Sequence, residues 1–239
     1  DLITANIYRL KRGDDSCTLQ NYYSEDYEDV KIPLDKRLSP SSNAQKYYKK
    51  YNKAKAAKIH LTEQLELAYV YTVLDSLTRA DGEKELNEIR AELYHSGYAS
   101  KMKNYTEKKQ NAPSIMKYKT TDGHTVLCGR NNIANDYLTT KMAQRWDWWF
   151  HVKNQPGSHV VLVLEDSGEE PSEQTFTEAA EIAACNSKAK GGVMIPVDYT
   201  RVSKVKKPAG SKPGFVIYTT NWTAYVTPND EKVNKMKQK

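Results

Sequence analysis

Residues 128–164 read CGRNNIANDYLTTKMAQRWDWWFHVKNQPGSHVVLVL, and the fold of the chain turns on how this stretch is read. A short alternating run, His124 to Cys128, leads into it and turns over Gly129. Asn131, Asn132 or Asn135 can then cap a helix carrying Ile133, Leu138 and Met142, because an asparagine oxygen accepts the free amide hydrogens of a first helical turn. Asp136 complements the positive end of that helix. An aromatic strand, Trp148 to Val152, follows, then a Pro156-Gly157 turn and a second strand, His159 to Leu164. That last strand is apolar on both faces, which predicts a central place in a sheet.

The polar residues at the junctions are the candidates for function. Arg130, Asn131 and Asn132 stand where a strand hands over to a helix, where amide hydrogens point outward and an anion is favoured. The Gly157-Ser158-His159 turn offers a second set of amides, with a hydroxyl and an imidazole. If the two junctions lie at neighbouring strand ends, they form a polar patch with Trp149 and His151 beside it. Planar, aromatic and basic groups together suit stacked bases and phosphates. A purely structural role competes: asparagines that cap, tryptophans that fill the core and histidines that bond internally. Asp147 and His151, four apart on a strand, would share a face, so Asp147 could orient His151 or simply hold a buried hydrogen bond.

The order GRNN-x-x-ND-x-L, DWWFHV and PGSHVVL resembles the RNA-binding NFACT-R domain of the bacterial RqcH family, long labelled fibronectin-binding protein A, whose eukaryotic relative is NEMF. The resemblance resumes at Val197–Thr200, Val205–Pro208 and Lys212–Gly214. Tyr137 stands where the family pattern has an acidic residue, and Gln144-Arg145-Trp146 is bulkier than usual. The resemblance implies an RNA-binding fragment of a ribosome-associated quality-control factor. Such a factor binds large ribosomal subunits with stalled peptidyl-tRNA and recruits alanyl-tRNA for alanine tailing. Its partners would be tRNA, rRNA and ribosomal proteins, its location the cytoplasm.

Upstream, residues 1–38 suggest short strands, at Ile7–Leu10, Cys17–Leu19, Asn21–Tyr23 and Val30–Ile32. By resemblance they are the tail of an NFACT-N domain. The abrupt start without Met suggests a piece of a longer protein. Ser39-Pro40-Ser41 opens a helix expected to run to about residue 79, roughly 55 Å long. Ala44, Tyr47, Tyr51, Ala54, Leu61, Leu65 and Ala68 form its seam, which drifts to Leu67, Val70, Leu74 and Leu77. Asp81-Gly82 marks a reversal, and Leu86, Ile89 and Leu93 stripe a returning helix ended by His95-Ser96-Gly97.

The expected organisation is therefore α+β. It comprises a β-rich piece (1–38), a long antiparallel coiled-coil hairpin (39–104), a basic linker (105–113), a compact NFACT-R domain with a mixed, largely antiparallel sheet (114–232) and a disordered tail (233–239). On the first helix Lys46, Lys49, Lys50, Lys53, Lys55 and Lys58 recur without an acid. Like charges at that spacing repel, so a polyanion such as rRNA explains the stripe better than a solvated face does. The acidic distal half could instead touch protein. Near the end, Arg201, Lys204, Lys206, Lys207 and Lys212 lie in a Pro- and Gly-rich loop.

The 239 residues carry a net charge of +6 with 38% hydrophobic residues, which favours a polyanionic partner. No run approaches the roughly 20 apolar residues of a membrane span, and no signal peptide is legible. Cys17, Cys128 and Cys185 lack ligand spacing and suit free thiols, so no metal or cofactor is expected. Neither a phosphate loop nor HExxH or CxxC is present, and Ser158 and His159 would point to opposite strand faces, which argues against an enzyme. The acidic run Glu165 to Glu181 lacks EF-hand spacing. The expected RNA contacts are Arg130, Asn131, Asn132, Trp149, His151, Gly157, Ser158, His159, Lys206, Lys207 and Lys212, with Lys46, Lys49, Lys50 and Lys53 on the helix. Two rivals stand beside this reading: a surface adhesin binding fibronectin, and a scaffold engaging ribosomal or chaperone proteins.

Overall fold

A computed structural model describes residues 1–98 and 112–238, in two compact units, Asp1–Glu66 and Leu67–Lys239. The N-terminal unit begins with α1 (Leu2–Ala5) and a 3-10 turn, Ile7–Arg9. It continues through β1 (Ser16–Gln20) and β2 (Asp29–Pro33) into the first part of α2 (Pro40–Arg79). β1 and β2 pair antiparallel with Cys17 opposite Ile32, and Ile3, Cys17 and Leu19 are buried. The predicted strands at Ile7–Leu10 and Asn21–Tyr23 are not formed. The first is the 3-10 turn, and in the second the Asn21 side chain accepts from the Tyr23 amide at 3.2 Å, a local bond that competes with a ladder. Asn43 fixes the entry to α2, accepting from the Asp35 amide at 2.9 Å and donating to its carbonyl at 3.1 Å.

The C-terminal unit holds the end of α2, then α3 (Glu83–His95), β3 (Ile115–Lys119), β4 (Thr125–Gly129) and α4 (Asn132–Tyr137), which runs into a π turn, Leu138–Met142. β5 (Trp148–Val152), β6 (Val160–Leu162), α5 (Glu173–Cys185), β7 (Ile195–Arg201), β8 (Val205–Lys206), β9 (Ile217–Tyr218), β10 (Trp222–Val226) and α6 (Asp230–Met236) complete it. Six strands form one sheet in the order β10-β7-β5-β6-β4-β3, every neighbour antiparallel, while β8 and β9 make a separate ribbon. This is the α+β architecture with a largely antiparallel sheet that the pattern predicts.

β6 explains its own composition. Val160 and Leu162 enter the core shared with Ala179, Ala180, Ile182 and Ala183 of α5. Val161 faces the other way, to Leu127, Leu138 and Trp149. Both faces are covered, so no polar residue is tolerated along the strand.

The returning helix forms where the pattern predicts it: α3 has 13 residues and packs on α2 through Tyr69, Val73 and Ile89. Two expectations are corrected. The predicted seam of Leu67, Val70, Leu74 and Leu77 is exposed instead, because α3 takes the neighbouring face of α2. The tail is also ordered over Asp230–Met236, where Val233 and Met236 join the α5 core and Asn229 caps the helix through the Lys232 amide at 3.0 Å. The hairpin beyond residue 98, most of the 105–113 linker and Lys239 lie outside the described residues.

Gly129 sits at the end of β4 against the start of α4, where an added Cβ would come within 2.3 Å of the Asn135 side-chain oxygen and 2.8 Å of its amide nitrogen. Gly129→Ala is expected to destabilise the chain by about 1–3 kcal/mol in urea unfolding, as overpacking against backbone does.

Candidate nucleic-acid interface

The junction after β4 is built as predicted. Asn131 caps α4, its side-chain oxygen accepting from the Ala134 amide at 2.8 Å. What covers the junction is α3. Glu85, Glu88 and Glu92 recur at helical spacing on one face of α3 and are all buried. Glu88 Oε2 accepts from Asn131 Nδ2 at 2.6 Å, and its Oε1 accepts from the Ser114 amide and hydroxyl at 3.0 and 3.1 Å. Glu92 Oε1 accepts from Asn132 Nδ2 at 2.9 Å, and the same nitrogen lies 3.0 Å from Thr72 Oγ1. Arg130 Nε is 2.8 Å from Glu85 Oε1, and the Arg130 guanidinium also pairs with Asp81. Burial raises the Glu92 pKa, with the Asn132 bond working the other way, whereas the Arg130 hydrogen bond lowers that of Asp81.

Arg130, Asn131 and Asn132 are thus engaged by protein. The same holds at the second junction, where Ser158 is fully buried and its hydroxyl accepts from Arg79 Nη1 at 3.0 Å. Arg79 is paired with Asp75 at 2.7 Å, and its carbonyl accepts from Arg130 at 3.5 Å. The two junctions are neighbours, as the sequence suggests, but Arg79 fills the space between them. The patch expected to grip a sugar-phosphate chain through Arg130, Asn131, Asn132 and Ser158 is closed. Asp147 does not orient His151 either. Its carboxylate accepts from the Gln144 and Leu164 amides at 2.7 and 3.0 Å, so it fastens the approach to β5.

An open cleft of about 530 Å³ lies on the Trp149 side of the sheet. Asn132, Trp149, His151, Gly157 and His159 all line it, joined by Tyr71 and Thr72 of α2, the Asn154–Pro156 turn, Lys188, Phe215 and Tyr218. Trp149 is its buried floor. The His151 ring stacks on Trp149 at 5.7 Å between centroids, the Tyr218 ring tilts against it at 5.0 Å, and His159 meets it edge-on at 5.1 Å. His159 Nδ1 bonds Thr139 Oγ1 at 2.8 Å, and its amide donates to Asn135 Oδ1 at 2.9 Å. Burial pulls the His151 pKa down to about 4 and that of His159 well below the ordinary value. Both rings are therefore neutral near pH 7. They shape the cleft and can hydrogen-bond, but they do not attract phosphate as cations.

The basic loop is docked rather than free. Gly214, at φ +74°, brings its backbone against Asn132, and its amide donates to Asp136 at 3.2 Å. Lys207 is paired with Asp136 at 2.6 Å. The Lys212 ammonium stands 4.0 Å over the Tyr69 ring and 5.0 Å over that of Tyr98. Lys206 is exposed. In the N-terminal unit Lys49, Lys50 and Lys53 are exposed, while Lys46 pairs with Asp35 at 3.2 Å. Lys46 and Lys50 line a cavity of about 810 Å³ there with Lys36, Arg37 and Tyr47. Asp35 within it holds Arg37 as well as Lys46, and those partners lower its pKa strongly.

Sequence reasoning missed Glu85, Glu88, Glu92 and Arg79, and from the cleft Tyr71, Lys188, Phe215 and the Asn154-Gln155 pair. The carboxylates had a signal: acids three and four apart, flanking the buried Ile89 on the face of α3 that ought to be apolar. Among the described residues no group of three or more His, Cys, Asp or Glu side chains could hold a metal, and no helix is long and apolar enough to cross a membrane. Glu178, in the acidic run, accepts instead from the Thr121 amide and hydroxyl at 2.8 and 2.6 Å.

This sheet, with its capped junction and aromatic cleft, is an RNA-binding domain of the NFACT type: residues 114–219 match the family model for the NFACT protein RNA binding domain, and residues 1–112 that for NFACT N-terminal and middle domains. The chain belongs to the RqcH family. It is similar to the Rqc2 homolog RqcH of Bacillus subtilis (strain 168), 44% identical over 245 residues, covering 100% of this chain and 42% of that protein. The RqcH of Streptococcus suis (strain 05ZYH33) is 40% identical over 243 residues, covering 99% and 43%. The chain spans less than half the length of these relatives. The solved C-terminal part of the fibronectin/fibrinogen-binding protein from Streptococcus suis superimposes with a TM-score of 0.68 at 40% identity, covering 84% of this chain and 81% of that one.

Two outcomes test this description. Glu88→Gln leaves one oxygen where two accepted, so its NH2 must face either Asn131 Nδ2, which cannot flip without losing the α4 cap, or the Ser114 amide. It is expected to lower unfolding free energy by about 1–3 kcal/mol. For His151, the unfolded ring protonates near 6.5 and the folded ring only near 4. Between those values the unfolded state binds more protons, so stability falls as pH falls through that window. His151→Gln should flatten part of that fall in urea midpoints measured from pH 7 to pH 4.

Proposed function

We propose that the chain holds and orients RNA for a ribosome-associated quality-control factor, without itself catalysing a reaction. The factor binds large ribosomal subunits that retain peptidyl-tRNA and recruits alanyl-tRNA, so that an alanine tail is added while peptidyl transfer stays with the ribosome. It works in the cytoplasm. One observation carries the reading. The aromatic and imidazole groups converge on an open cleft, and the loop carrying Lys206, Lys207 and Lys212 supplies that cleft's Gly214–Val216 wall. Apart from Ala68, Tyr71 and Thr72 of α2, the cleft and the loop lie within the segment matched by an RNA-binding domain. Ring faces and imidazoles beside solvent-facing cations are what unstacked RNA requires.

Within the N-terminal unit, the exposed Lys49, Lys50 and Lys53 with Tyr48 and Tyr51 would add sequence-independent phosphate contacts to rRNA. Adhesion to fibronectin is the rival reading, and the name of the Streptococcus suis relative keeps it in view.

Titrating tRNA and fibronectin binding against salt separates the two. Affinity for tRNA is expected to fall steeply with salt. Lys206→Ala should lower the log–log slope by about one, and Arg130→Ala should reduce stability while leaving the slope unchanged. Fibronectin binding without tRNA binding would contradict the proposal.

A further inference from the structure

We propose that the cleft floored by Trp149 receives one unstacked nucleobase, its ring against Tyr71 and Phe215 and an adjoining phosphate at Lys188. This inference rests on the RNA-binding reading and names what occupies the site.

Volume comes first. About 530 Å³ is room for a nucleotide and far too little for a duplex, whose base faces are in any case covered by stacking. The lining then selects the chemistry. Among the described lining residues Lys188 is the sole charged side chain, so no carboxylate repels an anion and a single cation attracts one. Its ammonium lies over one face of the Tyr71 ring, 5.2 Å from the centroid, so the charge sits at the side of a ring that is 46% exposed, and a base would lie against the ring's other face or edge. Phosphate at Lys188 and base on Tyr71 is the pairing a single nucleotide offers.

The polar groups of the cleft divide into spent and available. Asn132 is held by Glu92 and Thr72, and Asn135 by Gly157 and His159. Asn154 and Gln155 are exposed on the turn, and Asn154 holds φ at +55°, a left-handed conformation that asparagine tolerates better than most residues. Each carries a donor and an acceptor, so the turn can meet the edge of any base. The cleft therefore recognises the presence of a base more than its identity.

The test uses the full chain and short single-stranded RNAs that differ at one central position: adenine, 2-aminopurine or an abasic sugar. The abasic RNA is expected to bind about tenfold more weakly, in line with the loss of one stacked base, and 2-aminopurine emission should be quenched on binding. Tyr71→Ala, at an exposed position, should abolish the difference between adenine and abasic RNA while the salt slope is kept. Lys188→Ala should lower that slope by about one. Equal affinity for adenine and abasic RNA, with a steep salt slope retained, would overturn the base site and leave the RNA-binding reading standing. Absence of RNA binding even at low salt would overturn both.

Discussion

A helix that turns three carboxylates toward a domain interior must find donors for them, since a buried charge without partners costs several kcal/mol. The donors here are Arg130, Asn131 and Asn132, set out in sequence order where β4 passes into α4, with Ser114 beside them. This match of Glu85, Glu88 and Glu92 to consecutive residues of the junction holds the α2–α3 end against the sheet. It also explains why an amide side chain recurs there. Asn131 uses its oxygen for the α4 cap and its nitrogen for Glu88, and neither leucine nor aspartate could do both.

That joint decides where RNA can go. By occupying the strand-helix junction it removes the anion site that such a junction would otherwise offer. By bringing α2 alongside the sheet it places Tyr71 and Thr72 at the edge of the Trp149 cleft. The same packing that closes one polar patch therefore completes another. The cleft is lined by neutral imidazoles and ring faces and carries its positive charge at Lys188 and on the adjoining loop. That division suits a base inside and phosphates outside.

Much of this was legible in the sequence. The alternating run gave β4 and the aromatic run gave β5 to within a residue, and the two-sided apolarity of β6 placed it centrally. The asparagine cap also followed from residue type alone. The residues lining the cleft were half legible: Trp149, His151, Gly157 and His159 were named, but as neighbours of Arg130 and Ser158 rather than of Tyr71 and Lys188. What failed did so for a physical reason. A side chain free to bind phosphate and one committed to a buried carboxylate have the same letter, and the partner that commits it lies 40 or more positions away on α3. The exposure of the Leu67–Leu77 stripe was illegible for a similar reason. The Leu67–Leu77 stripe has coiled-coil spacing, yet α3 packs on the adjacent face carrying Tyr69 and Val73.

The most direct test of the account is amide hydrogen exchange measured with and without bound single-stranded RNA. The account predicts added protection over residues 154–157 and 206–216, with no change at Arg130, Asn131 and Asn132, whose side chains already serve α3. RNA-dependent protection confined to 130–132, with the cleft and loop unaffected, would contradict it.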